Sequence, residues 1–115
     1  MVEIGPKAFI HLDRIKSNYE KIQKRIGDRI ILSVVKANGY GHGAIEIAKV
    51  ISHFKNSKFA VFSFDEAMQL RNSGISNDII IFLYNKLESL ISIPRRVIPV
   101  SNLKWYLGRL FVLDI

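Results

Sequence analysis

Three short apolar runs constrain this chain most: 30-IILSVV-35, 59-FAVFSF-64 and 79-IIIFL-83. A strand with one wet face alternates apolar and polar residues. A nearly continuous apolar run marks a strand covered on both faces, as in parallel sheets flanked by helices. The intervening segments carry helical spacing. After Asp13, a suitable N-cap, Ile15, Tyr19, Ile22 and Ile26 fall on one helical face, and Gly27 suits the C′ position. Ala44 to Phe54 places Ile47, Ala48, Ile51 and Phe54 together, and Asp65 is expected to cap a helix holding Ala67, Met68 and Leu70 that ends at Gly74. Further along, the pattern predicts a short helix over Lys86 to Ser92, a weaker strand over Val97 to Val100, a helix from Ser101, and a strand beginning at Leu110. The strand over 97–100 is weak because Pro99 cannot donate to a ladder. Phe9 to Leu12 reads as a short N-terminal strand ahead of these units. Repeated βα units with doubly buried strands predict an α/β fold with a parallel sheet.

The chain has 115 residues. A complete (β/α)₈ barrel takes about 250 residues. About five βα units, the first half of such a barrel, are therefore expected, in a truncated chain with unpaired strand edges and an open inner face. There are no cysteines, hence no disulfide and no thiolate metal site, which fits a reducing compartment. The N-terminus lacks a signal-peptide core, and the longest uncharged apolar stretch falls far short of the roughly 20 residues that span a bilayer. A soluble cytoplasmic protein, without a membrane partner, is expected. The net charge of +7 raises nucleic-acid binding. The basic residues are spread, however, and the densest groups, Lys21 to Arg29 and Lys55 to Lys58, have no interleaved aromatics to stack bases, so no nucleic-acid partner is expected. His11, His42 and His53 show no metal-ligand spacing, and His11 is expected half-buried on its strand.

The chemistry concentrates in 34-VVKANGYGHG-43. In parallel α/β proteins the active site lies at the carboxyl ends of the strands. Lys36 sits at such an end, where partial burial favours the free amine. A free amine forms Schiff bases with aldehydes, of which pyridoxal phosphate is the commonest biological example. Gly39, Gly41 and Gly43 permit a tight turn and close backbone approach to a ligand, and Tyr40 offers a hydroxyl. The helix from Ala44 is expected to present free N–H groups favourable to a phosphate. Standing alone, a strand-end lysine is most often a solvated charge, and a glycine-rich turn after a strand is common. The spacing is neither GxGxxG nor GxxxxGK[ST].

Taken as a block, these ten residues resemble the cofactor-attachment motif of the alanine racemase family, whose usual form has Ala at the position of Gly39. AFIHLDRIKSNYEKIQKRIG is similar to the family's opening segment. FAVFSFDEAMQLRNSGI is similar to its next strand and helix, with an acidic pair and an Arg before a Gly-Ile turn. The resemblance covers about residues 3 to 83. It implies a fold type III pyridoxal 5'-phosphate enzyme whose N-terminal domain is a (β/α)₈ (TIM) barrel, with residues 1–115 a part of that domain and the C-terminal β domain absent. By position, Lys36 would carry the cofactor and move the α-proton on one face of the amino acid. Tyr40 would hydrogen-bond the phosphate, and Phe82 would lie beside the cofactor ring. The second base, a tyrosine of the partner subunit in a homodimer, and the arginine at the pyridine nitrogen would lie beyond residue 115. Asp114 falls where many members carry a carbamylated lysine, and an aspartate would supply the same negative charge directly.

The implied activity is alanine racemase, an isomerase interconverting L- and D-alanine for cell-wall peptidoglycan, with the isolated chain inactive. The alternatives are a racemase of another amino acid such as serine, or a barrel fragment that binds pyridoxal phosphate without catalysis.

Overall fold

The computed structural model describes residues 5–82, 97–99 and 110–114, the last two segments chiefly through their backbone. The helices expected over Lys86 to Ser92 and from Ser101 lie outside the described residues.

Helix α1 spans Leu12–Ile26. Its inward stripe is the expected one: Tyr19 is buried, and Ile15, Ile22 and Ile26 pack against the same core. Asp13 in the first turn and Lys24 and Arg25 in the last complement the helix dipole. The residue at the N-cap is His11, not Asp13, and it is exposed. The expected strand over Phe9 to Leu12 does not form: Phe9–His11 is irregular and Phe9 is 79% exposed. β-propensity alone cannot hold a strand without a neighbouring edge to pair with.

The sheet strands are β1 (Ile30–Val34), β2 (Ser57–Val61), β3 (Ile79–Ile81), β4 (Val97–Pro99) and β5 (Leu110–Asp114). Helices α2 (Ala44–Ile51) and α3 (Phe64–Asn72) follow β1 and β2. All pairings are parallel, in the order β4-β3-β2-β1-β5. Sequential barrel winding would set β5 beside β4. It lies instead along β1, Val34 opposite Asp114, and so pairs the otherwise free edge of a strand buried along its whole length. Pro99 is tolerated because β4 is an outer strand.

Both faces of the sheet are buried, as the continuous apolar runs require. On one face Ile31, Val35, Phe59, Val61, Ile79 and Ile81 meet Tyr19, Ile47, Ile51 and Leu70 from the helices. On the other, Ile30, Leu32, Val34, Ala60 and Ile80 form a second cluster with Phe82 against it. This second face was expected to lie open, yet none of those five residues is more than 8% exposed. Each large side chain so buried contributes about 1.5–3 kcal/mol.

The N-cap of helix α3 lies two residues before the expected Asp65. Ser63 is the N-cap: its hydroxyl accepts from the Glu66 N–H while the Glu66 carboxylate accepts from the Ser63 N–H, a complete capping box. Asp65 lies inside the first turn, favourable to the dipole but not a cap. At the far end the buried Arg71 donates from one guanidinium nitrogen to the carbonyls of Ile75 and Asn77, both at 2.8 Å. Asn77 in turn donates to the carbonyls of Ser52 and Ser57. This network closes the amino-terminal end of β2 and β3, beside a half-buried Lys58–Asp78 pair at 2.7 Å.

Candidate active site

The site is built where β1 stops. The Val35 N–H still donates to Ala60 at 2.9 Å, continuing the ladder. After Lys36 the chain coils left-handed from Ala37 to Tyr40, with φ of 52° at Ala37, 54° at Asn38, 64° at Gly39 and 56° at Tyr40. Left-handed conformation costs a non-glycine residue about 1–2 kcal/mol. Several such residues in succession persist only where surrounding contacts enforce them, a property concentrated at functional sites.

The contacts are present. The Gly39 N–H donates to Val35, Gly41 to Ala37, His42 to Gly39 and Gly43 to Asn38, at 2.8 to 3.1 Å. The His42 ring nitrogen Nδ1 lies 3.0 Å from the Gly39 carbonyl, so this histidine braces the turn. The Ala37 N–H donates to Oε2 of Glu66 at 2.6 Å. Gly39 is buried, and a Cβ there would lie 3.2 Å from Ile47 Cδ1 and 3.3 Å from the Ala44 nitrogen. This close approach of turn to α2, with a positive φ, favours glycine at this position.

The three residues singled out from sequence converge. The half-buried Lys36 places Nζ 5.7 Å from the Phe82 ring centroid and 5.9 Å from that of Tyr40, within cation–π range of both. Among the described residues Nζ has no hydrogen bond and no ion pair. Phe82 is fixed by its N–H, which donates to Val61 at 3.0 Å. The Tyr40 hydroxyl donates to Oδ1 of Asp114 at 2.6 Å, a contact made possible by the β1–β5 register. That hydrogen bond, followed by desolvation and the Asp114 charge, raises the Tyr40 phenol above its ordinary value of 10.0.

One expectation is not met at the first residues of the helix. The start of α2 does not offer free N–H groups for a phosphate at Gly43 and Ala44. The Ala44 N–H donates to Asn38 Oδ1 at 3.0 Å, the Gly43 N–H to the Asn38 carbonyl, and the acidic Glu46 occupies the first turn. Asn38, placed in the left-handed turn, thus satisfies the first helical N–H, while the N-cap position itself is Gly43.

Two residues were missed. Phe62, past the end of β2, is a large apolar side chain 48% exposed beside the strand ends, and nothing in its run distinguishes it from buried neighbours. Glu66 stands out in the sequence only as half of an acidic pair, although the S-x-x-E spacing from Ser63 is a readable capping signal.

The residues present fit the aldehyde end of a pyridoxal cofactor: an amine without an ionic partner among the described residues, flanked by two rings, at a strand's carboxyl end. At the phosphate end the Tyr40 hydroxyl is at hand but is shared with the Asp114 carboxylate.

Fold and site together define an α/β protein with a parallel sheet and a candidate amine nucleophile at its strand ends. Sequence comparison narrows this: a profile of the family described as "Alanine racemase, N-terminal domain" matches residues 10–109, and the chain belongs to that family. The alanine racemase of Streptococcus mutans is 39% identical over 103 residues, which are 86% of this chain and 27% of that protein. The chain thus spans about a quarter of the length of the curated relatives it matches. Among solved structures, alanine racemase from E. faecalis is 33% identical at a TM-score of 0.63, covering 90% of this chain and 25% of that one. Alanine racemase from Bartonella henselae with covalently bound pyridoxal phosphate is 28% identical at a TM-score of 0.63, covering 72% of this chain and 24% of that one.

Proposed function

We propose that the chain is the amino-terminal part of an alanine racemase. In this reading Lys36 holds pyridoxal phosphate covalently and serves as the base on one face of the bound alanine, in a cytoplasmic homodimer with a further β domain. The observation that carries the reading is the Lys36 amine between the Tyr40 and Phe82 rings at the end of β1. When bound, the cofactor supplies an electron sink for negative charge at the α-carbon of an amino acid. The protein's share is positional. Phe82 packs beside the cofactor ring and keeps water from one side. Tyr40 directs its hydroxyl to the phosphate, exchanging Asp114 for that partner. Lys36 accepts or returns the α-proton at Nζ. Racemisation needs a second group on the opposite face. The ionisable side chains beside Lys36 among the described residues, Tyr40 and Asp114, are hydrogen-bonded to each other and in this reading serve the phosphate end, so the 115-residue chain is expected to attach the cofactor without racemising alanine.

The test uses borohydride trapping after incubation with pyridoxal phosphate, followed by peptide mapping. Label concentrated on Lys36 and lost in Lys36→Ala supports the assignment. Label spread evenly over the surface lysines sinks it.

A further inference from the structure

The capping box of α3 uses only part of the Glu66 carboxylate. Oε1 accepts from the N–H of Ser63 at 3.1 Å and from that of Phe62 at 2.8 Å. Oε2 turns away from the helix and accepts from the Ala37 N–H at 2.6 Å, across 29 residues of sequence. Ala37 is the residue after Lys36 and the first of the left-handed run. The β1–β2 ladder carries the strands together only as far as the Val35 N–H and the Ala60 carbonyl. Beyond that point Glu66 joins the chain leaving β1 to the chain leaving β2. Among the described residues its two oxygens meet backbone donors only, which suits an acceptor-only carboxylate. Such charge-assisted bonds are roughly twice as strong as neutral ones.

We infer that Glu66 is a positioning residue for Lys36: by fixing the Lys36–Ala37 peptide it sets where the lysine side chain leaves the strand and so holds Nζ between the two rings. The inference rests on the reading of Lys36 as the attachment lysine. It assigns Glu66 a second task, separate from helix capping, on a different oxygen.

The two tasks come apart in variants. Glu66→Gln keeps one acceptor oxygen and turns the other into an NH₂ group, which meets an N–H donor head on, so cap and turn can no longer both be served. Ser63→Ala removes the other half of the capping box and leaves the Ala37 contact in place.

The experiment is competitive borohydride trapping of pyridoxal phosphate on the 115-residue chain across pH, with the exposed Lys49 as internal reference, alongside amide exchange at Ala37 and thermal unfolding. Glu66→Gln is expected to lower Lys36 labelling relative to Lys49 by about tenfold and to speed exchange at Ala37, as for loss of a bond to a charged acceptor. Ser63→Ala is expected to lower the melting temperature and leave the Lys36 to Lys49 ratio and its pH profile unchanged. Equal losses of the ratio in the two variants would reduce Glu66 to a helix cap and overturn the positioning role alone. A wild-type ratio near one would overturn the reading of Lys36, and this inference with it.

Discussion

The two ends of the sheet treat polar groups in opposite ways. At the amino-terminal end Arg71 and Asn77 point donors at the carbonyls of Ile75, Asn77, Ser52 and Ser57, and the lysine there, Lys58, is paired with Asp78. At the carboxyl-terminal end three L residues are held left-handed, Phe62 and Tyr40 are exposed, and the Lys36 amine has only ring faces for company among the described residues. One end stabilises the fold and the other keeps reactive groups available. The capping box and the left-handed turn show that the second end is no less ordered. Its hydrogen bonds fix the backbone and leave side chains for a ligand.

The contrast predicts that variants at the two ends fail differently. Arg71→Ala removes the guanidinium donor from one buried and one half-buried carbonyl and is expected to lower unfolding free energy by about 2–4 kcal/mol in urea titrations. Lys36→Ala is expected to abolish cofactor trapping with little change in the same titration. Comparable destabilisation by both would erase the distinction. Gly39→Ala, which restores the alanine usual in the family's motif, tests the crowding of the turn against Ile47. It is expected to cost about 1–2 kcal/mol through the positive φ and the tight contact. Full stability would show that α2 gives way freely. Ser33→Ala is a smaller change of opposite sign. The Ser33 hydroxyl is buried with no hydrogen-bond partner among the described residues, so its removal is expected to raise stability by up to about 1 kcal/mol.

The smallest effect is electrostatic. A folded-state phenol raised above 10.0 stabilises fully below the unfolded value, and that stabilisation is lost as pH rises through the folded one. The advantage of the wild type over Tyr40→Phe should therefore be constant at neutral pH and fade only above 10.0. In ultraviolet titration, Asp114→Asn should return one phenol toward the ordinary value, since the Asp114 hydrogen bond is the main cause of its shift. An unaltered titration curve would mean that Asp114 and Tyr40 do not meet in solution.

Much of this was legible in the residues. The runs at Ile30, Phe59 and Ile79 announced doubly covered strands because burial on both faces leaves no polar alternation. Lys36, Tyr40 and Phe82 come together because two strand ends and one turn share the same edge, a consequence of parallel topology. What local pattern could not carry was pairing at a distance. The place of β5 beside β1 depends on which edge competes best, and the run at Phe9 shows the same limit, apolar residues with no edge to join. The Ser63 cap was a different case: Ser63 and Asp65 both qualify as caps, and only the reach of Glu66 decides between them.

The left-handed turn also has a consequence in time. Local sequence favours right-handed conformation at Ala37 and Tyr40, so the turn cannot nucleate itself. It requires β1 already paired with β2, and Glu66 already delivered by the start of α3. Closure of that long loop is expected to come late in folding. Lys36 would then reach its place after the sheet has formed, and lose it before the sheet dissolves. Partial destabilisation would first cost the protein its grip on the lysine, with the fold around it still standing.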